Sequence, residues 1–210
     1  MGMSATQLRP GTPTSAWTAD EVWAYYERQP TVWPRYELVD GELLVSPSPR
    51  IAHHRIHQEL VERIYGYVRA QQIGEMFWSP ADLRVALGTV VQPDLFVVAW
   101  PAQARRAREW SQFTRVLLTV EILSPSTARY DRLVKRRFYA RMGVPEYWIV
   151  DPDTRLVERC LPDGRSEVLG DALVWHPEGA REPLTADLPA FFTAALGAGG
   201  EEDGAADAPG

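Results

Sequence analysis

A single cysteine, Cys160, is all the thiol chemistry this chain holds, so neither an internal disulfide nor a thiolate-bound metal organises it. Missing too is any apolar run of the roughly 20 residues a membrane span needs. The N-terminal stretch MGMSATQLRPGTPTSAW lacks the apolar core of a secretory signal, so a cytoplasmic protein without membrane contact is the expectation. Positive charge is scarce overall, 22 Lys/Arg against 28 Asp/Glu for a net −6, which at first argues against a nucleic-acid partner.

What is present changes that picture. With 45% hydrophobic and 24% charged residues, 210 residues suffice for one domain with a full core. Between Arg50 and Arg141 there are 15 Lys/Arg against 8 Asp/Glu, whereas the rest of the chain has 7 against 20. The basic excess gathers in two clusters, Arg105, Arg106 and Arg108, and Arg129, Arg132, Lys135, Arg136, Arg137 and Arg141. A solvated helix face and a phosphate-facing surface both fit such clusters. Residues 1–16, rich in Thr, Ser, Pro and Gly, read as a mobile segment, residues 17–196 as a single domain, and residues 197–210, GAGGEEDGAADAPG, as a disordered acidic tail.

Within the domain, a short helix is expected around Ala19 to Glu27, then a hairpin in YELVDGELLV, where Asp40-Gly41 is a two-residue turn signal. Ile56, Leu60, Ile64 and Val68 recur at four-residue steps, predicting a helix over His53 to Gln72 that stops at Gly74. Strands are expected at Met76 to Ser79, near Leu83 to Val85, at Leu95 to Ala99, at Val116 to Leu123, and in EYWIV and LVERCL. The polar, basic PAQARRAREWSQF reads as a connection, Asp131 to Met142 as a second long helix, and residues 189–196 as a small terminal one. Strands interleaved with two long helices imply an α/β sandwich around a mixed sheet.

The chemistry is carried by charges in apolar places. In LLTVEILSPST, Glu121 sits inside a run too apolar and β-branched for a solvated loop, and a buried lone carboxylate is costly. In VVQPDLFVVAW, Asp94 stands at the mouth of another such run. On a helical wheel at about 100° per residue, Asp131 and Lys135 share the face of Val134, Phe138 and Met142, so Lys135 points inward with Asp131 four residues behind it and Glu121 as a second partner. Two convergent carboxylates repel unless a cation or proton lies between them. Oxygen-only donors point to Mg²⁺ or Mn²⁺ held by Asp94 and Glu121, with a backbone carbonyl such as that of Ile122. Structural alternatives stay open: Asp94 after Pro93 can cap a turn, and Glu121 with Lys135 can form an ion pair without a ligand. His53 and His57, four apart on a helix, lack the intervening glutamate and third ligand of a zinc site.

The order of motifs, YELVDGELLVSPSP, a His-bearing helix, QPDLFVV, VEILSPST, a helix with Asp and Lys, and GVPEYWIVDP, resembles the Uma-two (Uma2) family of restriction-endonuclease-like proteins in the PD-(D/E)XK nuclease superfamily. The resemblance runs from Tyr36 to Leu161 and implies a restriction-endonuclease-like sandwich, a central mixed sheet flanked by helices. It implies Asp94 and Glu121 as the two acids. The superfamily's usual Lys two residues after the Glu is Leu123 here, and Lys135 on the following helix takes that role. Glu42 matches a further acid brought to the site, and His53 a histidine of the family motif. The activity implied is metal-assisted hydrolysis of nucleic-acid phosphodiester bonds, DNA foremost. Lys135 would position the water or steady the growing charge, Asp131 would hold Lys135, and Arg105, Arg106, Arg132 and Arg136 would grip the backbone. A non-catalytic relative that binds nucleic acid or a protein is the alternative. A homodimer fits an enzyme that cuts both strands.

Overall fold

Two apolar runs set the centre of the molecule: Leu95–Ala99 and Val116–Ile122 are buried almost throughout, as strands inside a sheet covered on both faces must be. The computed structural model describes residues 28, 35–40, 42–83, 89–100 and 115–198. In chain order these form β1 (Arg35–Val39), β2 (Glu42–Ser46), α1 (Ile51–Gln71), β3 (Gly74–Trp78), β4 (Leu95–Ala99) and β5 (Val116–Ile122). There follows α2, built of an α-turn Ala128–Tyr130, a π-helical turn Asp131–Lys135 and an α-helix Arg136–Arg141. Then come β6 (Tyr147–Asp151), β7 (Leu156–Cys160), β8 (Ser166–Leu169), β9 (Ala172–Trp175), β10 (Leu184–Asp187) and α3 (Leu188–Leu196).

Six strands make the main sheet in the order β3-β4-β5-β6-β7-β8. Only the β5/β6 pair is parallel, and α2 is the crossover such a pair requires. The expected α/β sandwich with a mixed sheet is therefore the fold. β1/β2 and β9/β10 form separate antiparallel hairpins.

The two faces of the sheet differ in content. On one, Ile56, Leu60, Ile64 and Val68 of α1 and Phe191 and Phe192 of α3 pack on Leu95, Val97, Leu118, Val120, Ile122, Trp148 and Val150. Burying each large side chain contributes about 2 kcal/mol, which is why the four-residue periodicity of α1 was readable. On the other face, Phe96, Val98, Tyr147 and Ile149 meet Phe138 and Tyr139 of α2 and Val39 of β1. Strand alternation puts Asp94 on this second face, two residues before Phe96, and Glu121 as well, between the inward Val120 and Ile122 of the first.

Several expectations are corrected. Gly74 does not stop α1; Gln72 does, in the left-handed conformation at φ 56°. Gly74 opens β3, where an added Cβ would lie 2.0 Å from the Val98 carbonyl oxygen, so the close approach of β3 to β4 demands glycine. Leu83 forms a bridge to Val91, and the rest of the strand expected near Leu83 to Val85 lies outside the described residues. The strands β8, β9 and β10 were not anticipated. Met142, assigned to the apolar face of α2, is exposed. No helix among the described residues is long and apolar enough to cross a membrane. The helix at Ala19 to Glu27, residues 1–16, residues 199–210 of the acidic tail, the PAQARRAREWSQF connection with Arg105 and Arg106, and Gly41 lie outside the described residues.

Candidate active site

The turn Ser124–Thr127 launches α2: Ser124 Oγ lies 3.0 Å from Thr127 Oγ1, and the Ala128 amide donates to the Ser124 carbonyl at 3.0 Å. A few residues on, the Arg136 amide reaches back five residues to the Asp131 carbonyl, making the π turn. Such turns insert a residue into a helix and recur at functional sites. Here both charged residues of α2 that face inward, Asp131 and Lys135, bound the inserted turn and are buried.

Lys135 is 1% exposed, and its ammonium has an acid on three sides. Nζ lies 2.9 Å from Glu121 Oε1 and 2.9 Å from Glu37 Oε1. Asp131 Oδ1 is 3.3 Å away, an ion-pair contact without hydrogen-bond alignment. Tyr139 donates its hydroxyl to Glu121 Oε1 at 3.2 Å, and Tyr147 donates to the Asp131 carbonyl at 3.2 Å. Glu37 Oε1 also accepts the Gln92 amide at 2.9 Å, while its Oε2 is buried without a partner. Burial works against the charge of Lys135, but Glu121, Glu37 and Asp131 outweigh it and hold the ammonium well above the usual lysine range. Burial raises the Glu121 carboxyl well above its ordinary value; Lys135 opposes this, but Asp131, Asp94 and Glu37 add to it. Asp131 is raised for the same first reason, burial, against the pull of Lys135.

Asp94 stands at the entry of β4 in the opposite kind of surroundings. Arg35 Nη1 lies 3.0 Å from its Oδ1, while Oδ2 accepts the Ile122 amide at 2.9 Å and lies 3.0 Å from His53 Nε2. His57 Nε2 meets the Asp94 backbone carbonyl at 3.0 Å. Arg35 is fixed in turn by Ser79 Oγ at 3.0 Å and the Gln92 carbonyl at 3.3 Å. Burial alone would push the Asp94 carboxyl up, yet Arg35, His53 and the Ile122 amide hold it well below the usual carboxylate range. His57 is shifted down, chiefly by burial.

These two halves share one cleft of about 220 Å³, lined by Arg35, Ser46, Arg50, His53, Asp94, Glu121, Ile122, Asp131 and Lys135 among others. Its charges bear on whether a divalent cation suits it. Asp94, Glu121 and Asp131 are buried carboxylates that line it, with Glu37 buried behind Lys135, against the buried cations Arg35 and Lys135 and the exposed Arg50. Buried carboxylates thus outnumber buried cations, which favours a further cation among them. Among the described residues no three His, Cys, Asp or Glu side chains form a ready-made cage. A donor set of two carboxylates with the remaining positions left to water and substrate is the habit of Mg²⁺, so the residues fit such an ion.

Of the residues singled out in the sequence, Asp94, Glu121, Ile122, Asp131, Lys135 and His53 are brought to this cleft. Glu42 is not: it is exposed at the start of β2, does not line the cleft, and its carbonyl accepts the Tyr130 hydroxyl at 3.5 Å. Glu37, at the centre of β1, is the further acid that meets Lys135, from behind the cleft's lining. Arg132 and Arg136 face away from the cleft into surface ion pairs, Arg132 with Asp151 at 3.0 Å and Arg136 with Glu158 at 2.9 Å. The sequence reading missed Glu37 and Arg35. Their signal was the segment RYELV, in which two charged residues alternate with apolar ones in a strand that is buried on both faces.

A mixed sheet between helices, with acids from neighbouring strands meeting a helix-borne lysine in a cleft, defines a nuclease-like α/β sandwich. Residues 23–193 match the Uma2 family, described as "Putative restriction endonuclease", and the chain belongs to that family. It is similar to the crystal structure of a "putative nuclease belonging to DUF820" from Anabaena variabilis, at 26% identity and a TM-score of 0.65, over 86% of this chain and 99% of that one. No curated protein matches.

Proposed function

We propose that the protein is a metal-dependent endonuclease that hydrolyses phosphodiester bonds of DNA. The observation that carries this reading is the meeting of Asp94, Glu121 and Lys135 in one solvent-accessible cleft. Family membership and the nuclease neighbour point the same way. Asp94 and Glu121 would hold Mg²⁺ or Mn²⁺ together with the Ile122 carbonyl. When bound, the ion supplies Lewis acidity toward a phosphoryl oxygen and lowers the pKa of a coordinated water.

The chain's own groups do the rest. Lys135 keeps its proton at neutral pH because three carboxylates surround it, so it acts as a fixed positive charge toward the phosphate oxygens as negative charge grows on them, and not as a general base. Glu37 and Asp131 hold its ammonium in place. Arg35, His53 and the Ile122 amide keep Asp94 ionised and pin its rotamer. Tyr139 orients Glu121 through its hydroxyl.

The test is cleavage of plasmid and linear DNA with Mg²⁺ or Mn²⁺ against EDTA. Asp94→Ala and Glu121→Ala are each expected to lose about a thousandfold in rate, the scale of a lost electrostatic contact to the transition state, while circular dichroism shows a retained fold. Unchanged cutting by both variants would place the activity elsewhere. Metal-independent binding without cutting by the wild type would favour a non-catalytic nucleic-acid-binding domain.

A further inference from the structure

One wall of the cleft carries donors that the hydrolytic residues leave unused. The 21-residue α1 starts there, at Ile51, and its N-cap Arg50 is extended at φ −76° and ψ 164° with no side chain capping the helix. Its first turn contains no acid. Helices of this length ordinarily satisfy their first amides with Ser, Thr, Asp or Asn. Here an arginine takes that position, after Pro47 and Pro49, which have no amide to offer. The partial positive charge of the helix end is therefore reinforced rather than neutralised.

A second, independent feature lies beside it. Ser46 is 2% exposed and lines the same cleft, yet its hydroxyl has no partner among the described residues. His53, the third residue of α1, also leaves Nδ1 buried without a partner while Nε2 contacts Asp94. Arg50 is exposed and lines the cleft as well. The helix end with Arg50 and the buried Ser46 hydroxyl thus line one cleft with His53 and Asp94, and together they suit an anion with several oxygens. A backbone phosphodiester has two free oxygens, one for the helix amides and one for Arg50 and Ser46.

We propose that the N-terminus of α1 with Arg50 and Ser46 is a subsite for the backbone phosphate adjacent to the scissile one, holding the nucleic-acid strand in register. This rests on the nuclease reading and adds to it a second phosphate position.

The experiment is fluorescence anisotropy of a labelled DNA duplex with the full chain in EDTA, across a salt series, alongside thermal melting. Arg50→Gln is expected to weaken binding about tenfold and to lower the salt slope by about one phosphate. Ser46→Ala should weaken it about threefold, the scale of one hydrogen bond. Arg50→Asp is the sharper variant: it supplies the missing helix cap, so the melting temperature should rise by a few degrees while binding falls more than tenfold. Loss of folding cannot produce that opposition. If these variants bind with wild-type affinity and salt slope while the wild type still cuts DNA, the subsite is wrong and the nuclease reading stands. A wild type that neither binds nor cuts would end both. Binding of inorganic phosphate as tight as that of the duplex would overturn the assignment to a strand.

Discussion

Asp94 and Glu121 sit on adjacent strands, line the same cleft and are both 2% exposed, yet their environments drive them apart. Asp94 has an arginine, a histidine and a backbone amide on its two oxygens and stays ionised. Glu121 has a lysine, but shares it with two other acids, and burial leaves it raised. The difference shows that burial does not by itself set the state of a carboxylate: the ratio of donors to acids around it does. Asp94 has a donor on each oxygen, whereas Glu121 competes with two other acids for one lysine.

The largest expected effect breaks the second half. Lys135→Met leaves Glu37, Glu121 and Asp131 buried without their common cation and should cost about 3–5 kcal/mol at pH 7.5 in urea unfolding. The deficit should shrink toward pH 5 as the raised Glu121 and Asp131 carboxyls take up protons. Asp94→Asn breaks the first half by removing the carboxylate of Arg35 and should cost about 3 kcal/mol. Because its folded pKa is depressed, the stability Asp94 contributes is full above the unfolded value of about 3.9 and lost as pH falls below it. The variant should therefore show a shallower acid limb.

Glu37→Gln removes one acid from Lys135 and should cost about 1–2 kcal/mol, whereas Glu42→Gln, on the exposed end of β2, should stay within about 0.5 kcal/mol. Thermal melts of the pair decide which acid belongs to the cluster. A last effect sharpens the contrast by its sign. Glu121 has a raised folded pKa, so in metal-free protein stability falls as pH rises above the unfolded value of about 4.3, where the folded state still binds the extra proton. Glu121→Gln should flatten that decline and, at pH 7.5, be neutral or stabilise by about 1 kcal/mol. A decline just as steep in the variant would mean that another group is responsible.

Much of this was legible beforehand, and the failures have physical reasons. β4 and β5 were readable because strands covered on both faces must be continuous apolar runs, and a charge inside such a run is conspicuous, so Asp94 and Glu121 were found. Lys135 was readable because its spacing from Asp131 and Phe138 put it on the inner face. Glu37 was not, since in YELVDGEL two glutamates flank the turn, and alternation alone does not tell which of them the hairpin buries. The π turn was invisible to a wheel of fixed 100° steps; its extra residue shifts the phase beyond Lys135, which is why Tyr139 is buried and Met142 is not. β8, β9 and β10 are four residues each, with no buried residue in β8, two in β9 and one in β10, too short for a period to register.

The central claim is that Asp94 and Glu121 hold one divalent cation between them. Calorimetric titration of Mn²⁺ into the metal-free protein at pH 7 reads the affinity and the number of ions bound. The account predicts one ion per chain, bound at least tenfold more weakly by Asp94→Asn and by Glu121→Gln. Absence of binding to the wild type, or unchanged affinity in both variants, would contradict it.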